Sequence, residues 1–386
     1  MKLRSGNSIR LLKSGDQYFP ELIRAIDAAS REVYLESYIF EDDVTGRRVA
    51  DALMAAAQRQ VQVQVLIDGF GSRRFPQALR SSMADAGVRL LFFRPGVSVW
   101  HFKRVRLRRL HRKFAVIDGD IGFCGGINII DDRNTPGQMP PRFDYAVRVE
   151  GPLVAEMRAA ARRQWVRVAW MQMRQDWRPR SAMRRENTIA GSQNAALLVR
   201  DNLRHRHDIE EAYLSAIAGA RREVVIACAY FLPGTRFRHA LIAAAARGVR
   251  VVLLLQGRVE YLLLHYSSHA LYRQLLQAGI EIHEYRRSFL HAKVAVVDGF
   301  WATVGSSNID PISFLLAREA NIMIEDHEFA AQLRASLEDA LQTGAQRVLP
   351  SLWRPSLPTR ALTWVVYGLV RVLTGLTGYA RTGEDL

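Results

Sequence analysis

One pattern occurs twice in this chain, and any fold must accommodate both copies. His111, Lys113 and Asp118 spell H-x-K-x4-D, and Asn128 follows the histidine by 17 residues. His291, Lys293 and Asp298 spell it again, with Asn308 at the same interval. Side chains alternate across a β-strand, so a histidine and a lysine two apart point the same way. The residues after each lysine, Phe114 to Ile117 and Val294 to Val297, are apolar on both faces, which predicts a central strand buried on both sides. Glycine-bearing turns at Gly125-Gly126 and Gly305 then let the backbone approach closely and return the asparagine to the strand end. Imidazole serves as nucleophile or general acid, lysine as a point charge for phosphate, and asparagine as a neutral donor. Two such sets facing each other supply two of each around one phosphodiester.

The surrounding sequence repeats too. Arg31 to Phe40 matches Arg222 to Phe231, Gln60 to Gly69 matches Gly248 to Gly257, and Gly87 to Leu90 matches Gly279 to Ile282. The copies are offset by about 180 to 190 residues, too long for a solenoid. Helical spacing predicts helices over Tyr18 to Ser30, Gly46 to Arg59 and Asp208 to Ala220, between apolar strands. That alternation argues for an α/β chain in two duplicated halves, each a mostly parallel sheet flanked by helices. Ligands of such sheets bind beyond the strand ends, here at the interface between halves. The halves are expected at residues 1–178 and 195–349, with a linker at 179–194 and a tail at 350–386.

The paired motifs resemble the phospholipase D superfamily, in which two half-sites meet in one pocket. Ala302 to Pro311, with Ala317-Arg318-Glu319-Ala320-Asn321, resembles one branch closely: bacterial cardiolipin synthases of the short type lacking N-terminal membrane spans. The resemblance runs from about Asn7 to Trp353. It implies two phospholipase D-like halves packed with one active site at their interface. It also implies transfer of a phosphatidyl group from one phosphatidylglycerol to another, releasing glycerol, with hydrolysis or endonuclease action as alternatives. By analogy His111 is the nucleophile that forms a phosphohistidine, and His291 is acid, then base. The catalytic set is His111, Lys113, Asp118, His291, Lys293 and Asp298. Lys113, Lys293, Asn128 and Asn308 are expected to hold the non-bridging oxygens. Asp144 and Glu319 match the acidic position on a following strand and are expected to orient the histidines. Asp118 and Asp298 lie four strand residues beyond the lysines, and structural roles are expected for them. No metal or other cofactor is needed, because the lysines do the charge work. His265 and His269, four apart without the glutamate of a zinc-protease motif, read as helix surface.

The net charge of +16 points to an anionic partner, and charge alone admits nucleic acid, an acidic membrane or a phosphorylated substrate. The resemblance selects anionic phospholipid (phosphatidylglycerol) at a membrane surface and no nucleic acid. A peripheral protein on the cytoplasmic face of the bacterial inner membrane is expected, of open oligomeric state. A non-catalytic basic scaffold would have no use for two intact motifs. Cys124 and Cys228 read as reduced core thiols, without a disulfide framework. No stretch reaches the roughly 20 apolar residues of a spanning helix, and Met1 to Asn7 carry no signal core.

Three stretches depart from the repeat. Gly87 precedes its histidine by 24 residues and Gly279 by 12, so the first half carries an insert within Arg94 to Leu110. There Trp100, His101 and Phe102 stand beside a cationic run, which suits either an anionic headgroup or solvent. Nine arginines between Arg158 and Arg185 are expected to cover the solvated face of a long helix, with contact of some of them with phospholipid as the alternative. After Pro350, Pro355 and Pro358, apolar residues recur at helical spacing from Leu362 to Leu376. That tail reads as a helix lying in a membrane interface, against the alternative of a helix docked on the protein.

Overall fold

The apolar runs become strands, and a hairpin after each motif lysine sets how they pair. The computed structural model describes residues 2–94, 108–177, 188–201, 205–258, 262–310, 317–349 and 363–368. The first half runs β1 (Arg4–Lys13), α1 (Ser14–Asp27), β2 (Glu32–Ser37), α2 (Val44–Gln58), β3 (Gln62–Asp68), α3 (Gln77–Asp85) and β4 (Arg89–Phe93). It continues through β5 (Arg109–Leu110), β6 (Lys113–Ile117), β7 (Ile121–Gly125), β8 (Arg142–Phe143), β9 (Tyr145–Glu150) and α4 (Leu153–Met171). The second half repeats this: β10 (Gln193–Arg200), α5 (Asp208–Gly219), β11 (Glu223–Cys228), α6 (Thr235–Ala246), β12 (Arg250–Gln256), α7 (Leu262–Gln277) and β13 (Glu281–Tyr285). Then come β14 (Phe289–Leu290), β15 (Lys293–Val297), β16 (Trp301–Gly305), β17 (Ala317–Glu325), α8 (His327–Gly344) and β18 (Ala345–Arg347).

Among the described residues the strands join in the order β18-β13-β12-β11-β15-β16-β17-β10-β1-β9-β7-β6-β2-β3-β4. From the β10–β1 seam outward, each half lists its equivalent strands in the same order. The seam is irregular, and buried Asn7 stitches it: its amide donates to the carbonyls of Arg4 at 2.6 Å and Gln193 at 3.2 Å, and its Oδ1 accepts from Leu153 N.

The α/β architecture in two halves is as expected, but the sheet is mixed rather than mostly parallel. Within each half, parallel pairing is found in β2-β3-β4 and β11-β12-β13, where helices make the crossovers, and the short pairs β5–β17 and β8–β14 run parallel between halves. The strands carrying each motif pair antiparallel, because β6–β7 and β15–β16 are hairpins closed by turns too short for a crossover. Asp118 and Asp298 open those turns in left-handed backbone, at φ 53° and 52°. Aspartate tolerates that conformation better than most residues.

Apolar burial falls into three layers. One packs α1, α2 and α3 on the first sheet, through Leu22, Leu53 and Met83; another packs α5, α6 and α7 on the second, through Ile217, Leu241 and Leu275. The third contains residues of both sheets, Phe114 and Tyr145 with Val294 and Ile322, together with Trp165 of α4 and Leu333 of α8. The halves therefore share a continuous apolar interior.

The insert from 95 to 107 and most of the linker, 178–187, lie outside the described residues, as does the tail except 363–368. In that short helical segment Val366 is buried and Tyr367 packs against the second half, while Trp364 and Val365 are exposed. Cys124 and Cys228 are buried free thiols. No described helix is long and apolar enough to cross a membrane.

Candidate active site

The two motif histidines stand immediately before β6 and β15, and each is held by the opposite half. The backbone N–H of His111 donates to Arg318 O at 3.0 Å, and that of His291 to Phe143 O at 2.8 Å. The side chains cross as well. His111 Nδ1 lies 2.9 Å from Glu319 Oε1, on β17 of the second half. His291 Nδ1 lies 2.6 Å from Asp144 Oδ2, just before β9 of the first. Asp144 and Glu319 occupy equivalent strand positions, and each lies against the other half's imidazole. With Nδ1 engaged, both rings keep Nε2 for chemistry.

Lys113 and Lys293 are buried beside them, and each ammonium donates to the carbonyl of its own motif histidine, Lys113 to His111 O at 2.8 Å and Lys293 to His291 O. The strand alternation expected from the sequence thus places His and Lys of each motif together. Burial is the largest influence on the protonation of the cluster, and the neighbouring carboxylate and lysine charges come after it. It pushes Lys113 down to about 7, opposed by Glu319. It lowers His111, again against Glu319, and lowers His291 strongly, helped by Lys293 and Arg142. Burial raises Asp144 to about 6 against the pull of Lys293, whose Nζ is 3.9 Å from Oδ2. Charges of each half act on the other, so these groups form one cluster.

Asn128 and Asn308 are buried at the ends of the returning strands. Asn128 Oδ1 accepts from Ile39 N at 3.1 Å, which turns its amide N–H groups away from that backbone. Asn308 Oδ1 is buried with no hydrogen-bond partner among the described residues.

Asp118 and Asp298, grouped with the catalytic residues by motif, do not join the cluster. They lie at the far ends of β6 and β15, five residues from the lysines, or about 16 Å along a strand. Asp118 accepts backbone N–H groups of Ser30, Arg31 and Glu32, and Asp298 those of Arg221, Arg222 and Glu223. Each clamps the entrance of the strand next to the motif, and several N–H donors on one carboxylate hold it ionised.

The half-sites are not identical. In the second, Ser306 Oγ donates to Glu319 Oε2 at 2.5 Å. In the first, Gly126 takes the serine's place, and a Cβ there would sit 2.3 Å from Asp144 Oδ1. Tyr38, whose ring meets His111 edge-on at 4.9 Å, corresponds to Ala229 beside the other motif. Tyr38 and buried Arg142, whose guanidinium lies 5.3 Å from the Phe289 ring centroid, were not legible as site residues, because neither belongs to a spaced motif. Only the unequal residues at aligned positions of the repeat signalled Tyr38. His269 meets Glu284 at 3.2 Å, and no metal-binding group of acidic, histidine and cysteine side chains occurs among the described residues.

Known proteins resemble this chain along nearly its whole length. The family described as cardiolipin synthase, PLD-like domain, matches residues 22–168 and 213–341. The chain is 40% identical over 372 residues to cardiolipin synthase B of Escherichia coli (strain K12), covering 94% of this chain and 85% of that protein. It is 30% identical over 345 residues to a probable cardiolipin synthase of Bacillus subtilis (strain 168), covering 89% and 67%. The crystal structure of phosphatidylserine synthase from Haemophilus influenzae Rd KW20 superposes with a TM-score of 0.70 over 95% of this chain and 94% of that one. At 14% identity, that likeness speaks for the fold alone. A duplicated PLD-like domain across both motif halves, with relatives at this identity over nearly the whole chain, places the protein in the phospholipase D-like cardiolipin synthase family of phosphatidyltransferases.

Proposed function

We propose that the chain makes cardiolipin by moving a phosphatidyl group from one phosphatidylglycerol to the hydroxyl of a second, through a phosphohistidine. The observation that carries this reading is the crossed pair of imidazole–carboxylate contacts around two buried lysines. The lowered pKa of His111, set by burial, favours a neutral ring, so its Nε2 has a lone pair to offer phosphorus. As the N–P bond forms, the bond from phosphorus to the leaving glycerol oxygen breaks, and His291, entering this step as an imidazolium whose Nδ1–H is held by the Asp144 carboxylate, delivers its Nε2 proton to that oxygen and becomes neutral. His291 then takes the proton of the incoming hydroxyl, which attacks phosphorus and expels His111. Lys113, Lys293, Asn128 and Asn308 stabilise the non-bridging oxygens as their charge grows.

Net positive charge and the outward Trp364 and Val365 support a peripheral membrane position, on the cytoplasmic face where anionic headgroups are found. The test uses labelled phosphatidylglycerol vesicles and separation of the lipids. Cardiolipin with free glycerol is the expected outcome, and His111→Ala and His291→Ala should each abolish it. Phosphatidic acid as the sole product, or turnover surviving both substitutions, would overturn the proposal.

A further inference from the structure

A second basic cavity lies on the opposite face of β17 from the histidines. Glu319 points toward His111, and its neighbour Arg318 therefore points the other way. There α4, β10 and β17 enclose a groove of about 580 Å3, within the range of small-ligand sites. Its floor holds Arg112, Gln164 and Arg318, and its rim holds Arg163 and Arg167, one helical turn apart on α4.

The acids near the groove are largely committed elsewhere. Glu156 pairs with Arg4 at 2.5 Å, and Asp208 with His205 at 2.7 Å. Glu36 neutralises Arg112 through a two-pronged contact. Asp201, at one end, is the remaining carboxylate acting on Arg318. Arg163 and Arg167 have no carboxylate partner among the described residues. Gln164, which lines the groove, is 4% exposed; its Oε1 accepts from Arg318 Nη1 at 2.5 Å, and its Nε2 is buried without a partner among the described residues. Arg318 Nε is likewise buried and unpartnered. Burial, then the charges of Arg167 and Arg112, push Arg318 down to about 10, the response of a cation crowded by its own kind.

Orphaned buried donors and converging guanidiniums form a site short of one thing, an acceptor-rich anion. We propose that this groove binds a phosphate group, held by Arg318 and Gln164 at the floor and by Arg163 and Arg167 at the rim. Guanidinium forks match phosphate oxygens two at a time, and the amide N–H adds a directional donor. The ligand is a phosphate on either a membrane phospholipid or a small soluble molecule. This face of β17 is separate from the histidine pocket, so the proposal stands independently of the transfer chemistry.

The test is titration calorimetry of the full chain with inorganic phosphate at low ionic strength, using wild type, Lys113→Ala and the double variant Arg163→Ala/Arg167→Ala. Both rim arginines are exposed, so their loss leaves the fold intact, as circular dichroism would verify. Wild type should bind two phosphates. Lys113→Ala should lose the one in the histidine pocket, and the double variant should lose the other. Gln164→Leu, which removes only a floor donor, should weaken that second phosphate roughly tenfold. Sedimentation with phosphatidylglycerol or phosphatidylcholine vesicles separates the sources. A lipid phosphate predicts that the double variant loses binding to phosphatidylglycerol vesicles, and a soluble one predicts a calorimetric loss alone. Identical isotherms for wild type and the double variant would overturn the proposal.

Discussion

Replacing Gly126 by serine would test how closely the two half-sites are built to their own carboxylates. A Cβ at this position would lie 2.3 Å from Asp144 Oδ1 and 2.5 Å from Oδ2. Ordinary contact requires the carboxylate to withdraw by about 1 Å. The Oδ2–Nδ1 contact with His291, 2.6 Å in the native chain, would then open to about 3.6 Å, beyond a hydrogen bond. Misplacing a catalytic imidazole on this scale costs about 10²-fold in kcat/KM. The second half shows the compensation, since Ser306 is tolerated there beside a longer acid and bonds to it. Adding Asp144→Glu to Gly126→Ser recreates that pair at the same strand register, and should recover at least about tenfold. The assay is lipid turnover on phosphatidylglycerol vesicles, with thermal unfolding as the folding control. Wild-type turnover in Gly126→Ser, or a double variant no better than the single, would refute the reasoning.

The pH profile of kcat/KM should be bell-shaped. Below about 6 Asp144 takes up a proton and releases its hold on His291, and above about 7 Lys113 loses its charge. Both changes remove a required state, so the optimum lies between them, and a flat profile across both limbs would contradict this. Arg112→Ala would strand the Glu36 carboxylate in the interior and should destabilise the fold by about 3–5 kcal/mol in urea titrations. The paired change Arg112→Met/Glu36→Leu should cost far less by the same measurement. Asp298→Asn should lower stability by about 2 kcal/mol through weakened charge-assisted bonds to three backbone N–H groups. The folded fraction should keep its turnover, whereas a large fall in kcat at unchanged stability would assign Asp298 to the chemistry.

The chain's duplication and the placing of His beside Lys in each half were legible because they depend on spacing within one strand and turn. His111 with Lys113 and His291 with Lys293 needed only the two-residue alternation. Asp144 and Glu319 were recognisable by position, but their exchange between halves was not, since sequence order does not say which strand end faces which. The mixed pairing was missed for a related reason: β-α-β alternation signals parallel crossovers, while the hairpins at Asp118 and Asp298 were read only as motif positions. β10 is another case. Its first residues fell within the expected linker, because the alternation in Gln193–Arg200 is interrupted by Ala195-Ala196 and by buried Arg200. The arginines of α4 were expected to cover a solvated face. The structure divides them: Arg158 pairs with Glu32, while Arg163 and Arg167 rim the groove.

The exchange of carboxylates between halves also bears on descent. A pocket made by two copies of one short chain would have the same residue at both ends, and every mutation would strike both. Joining the copies in tandem lifts that symmetry while the interlock still forbids either half from working alone. Gly126 with Asp144 and Ser306 with Glu319 are two answers to one packing problem, kept side by side in a single gene product. Such a pocket has a left and a right, and in the transfer proposed above these would face a departing alcohol and an arriving one differently.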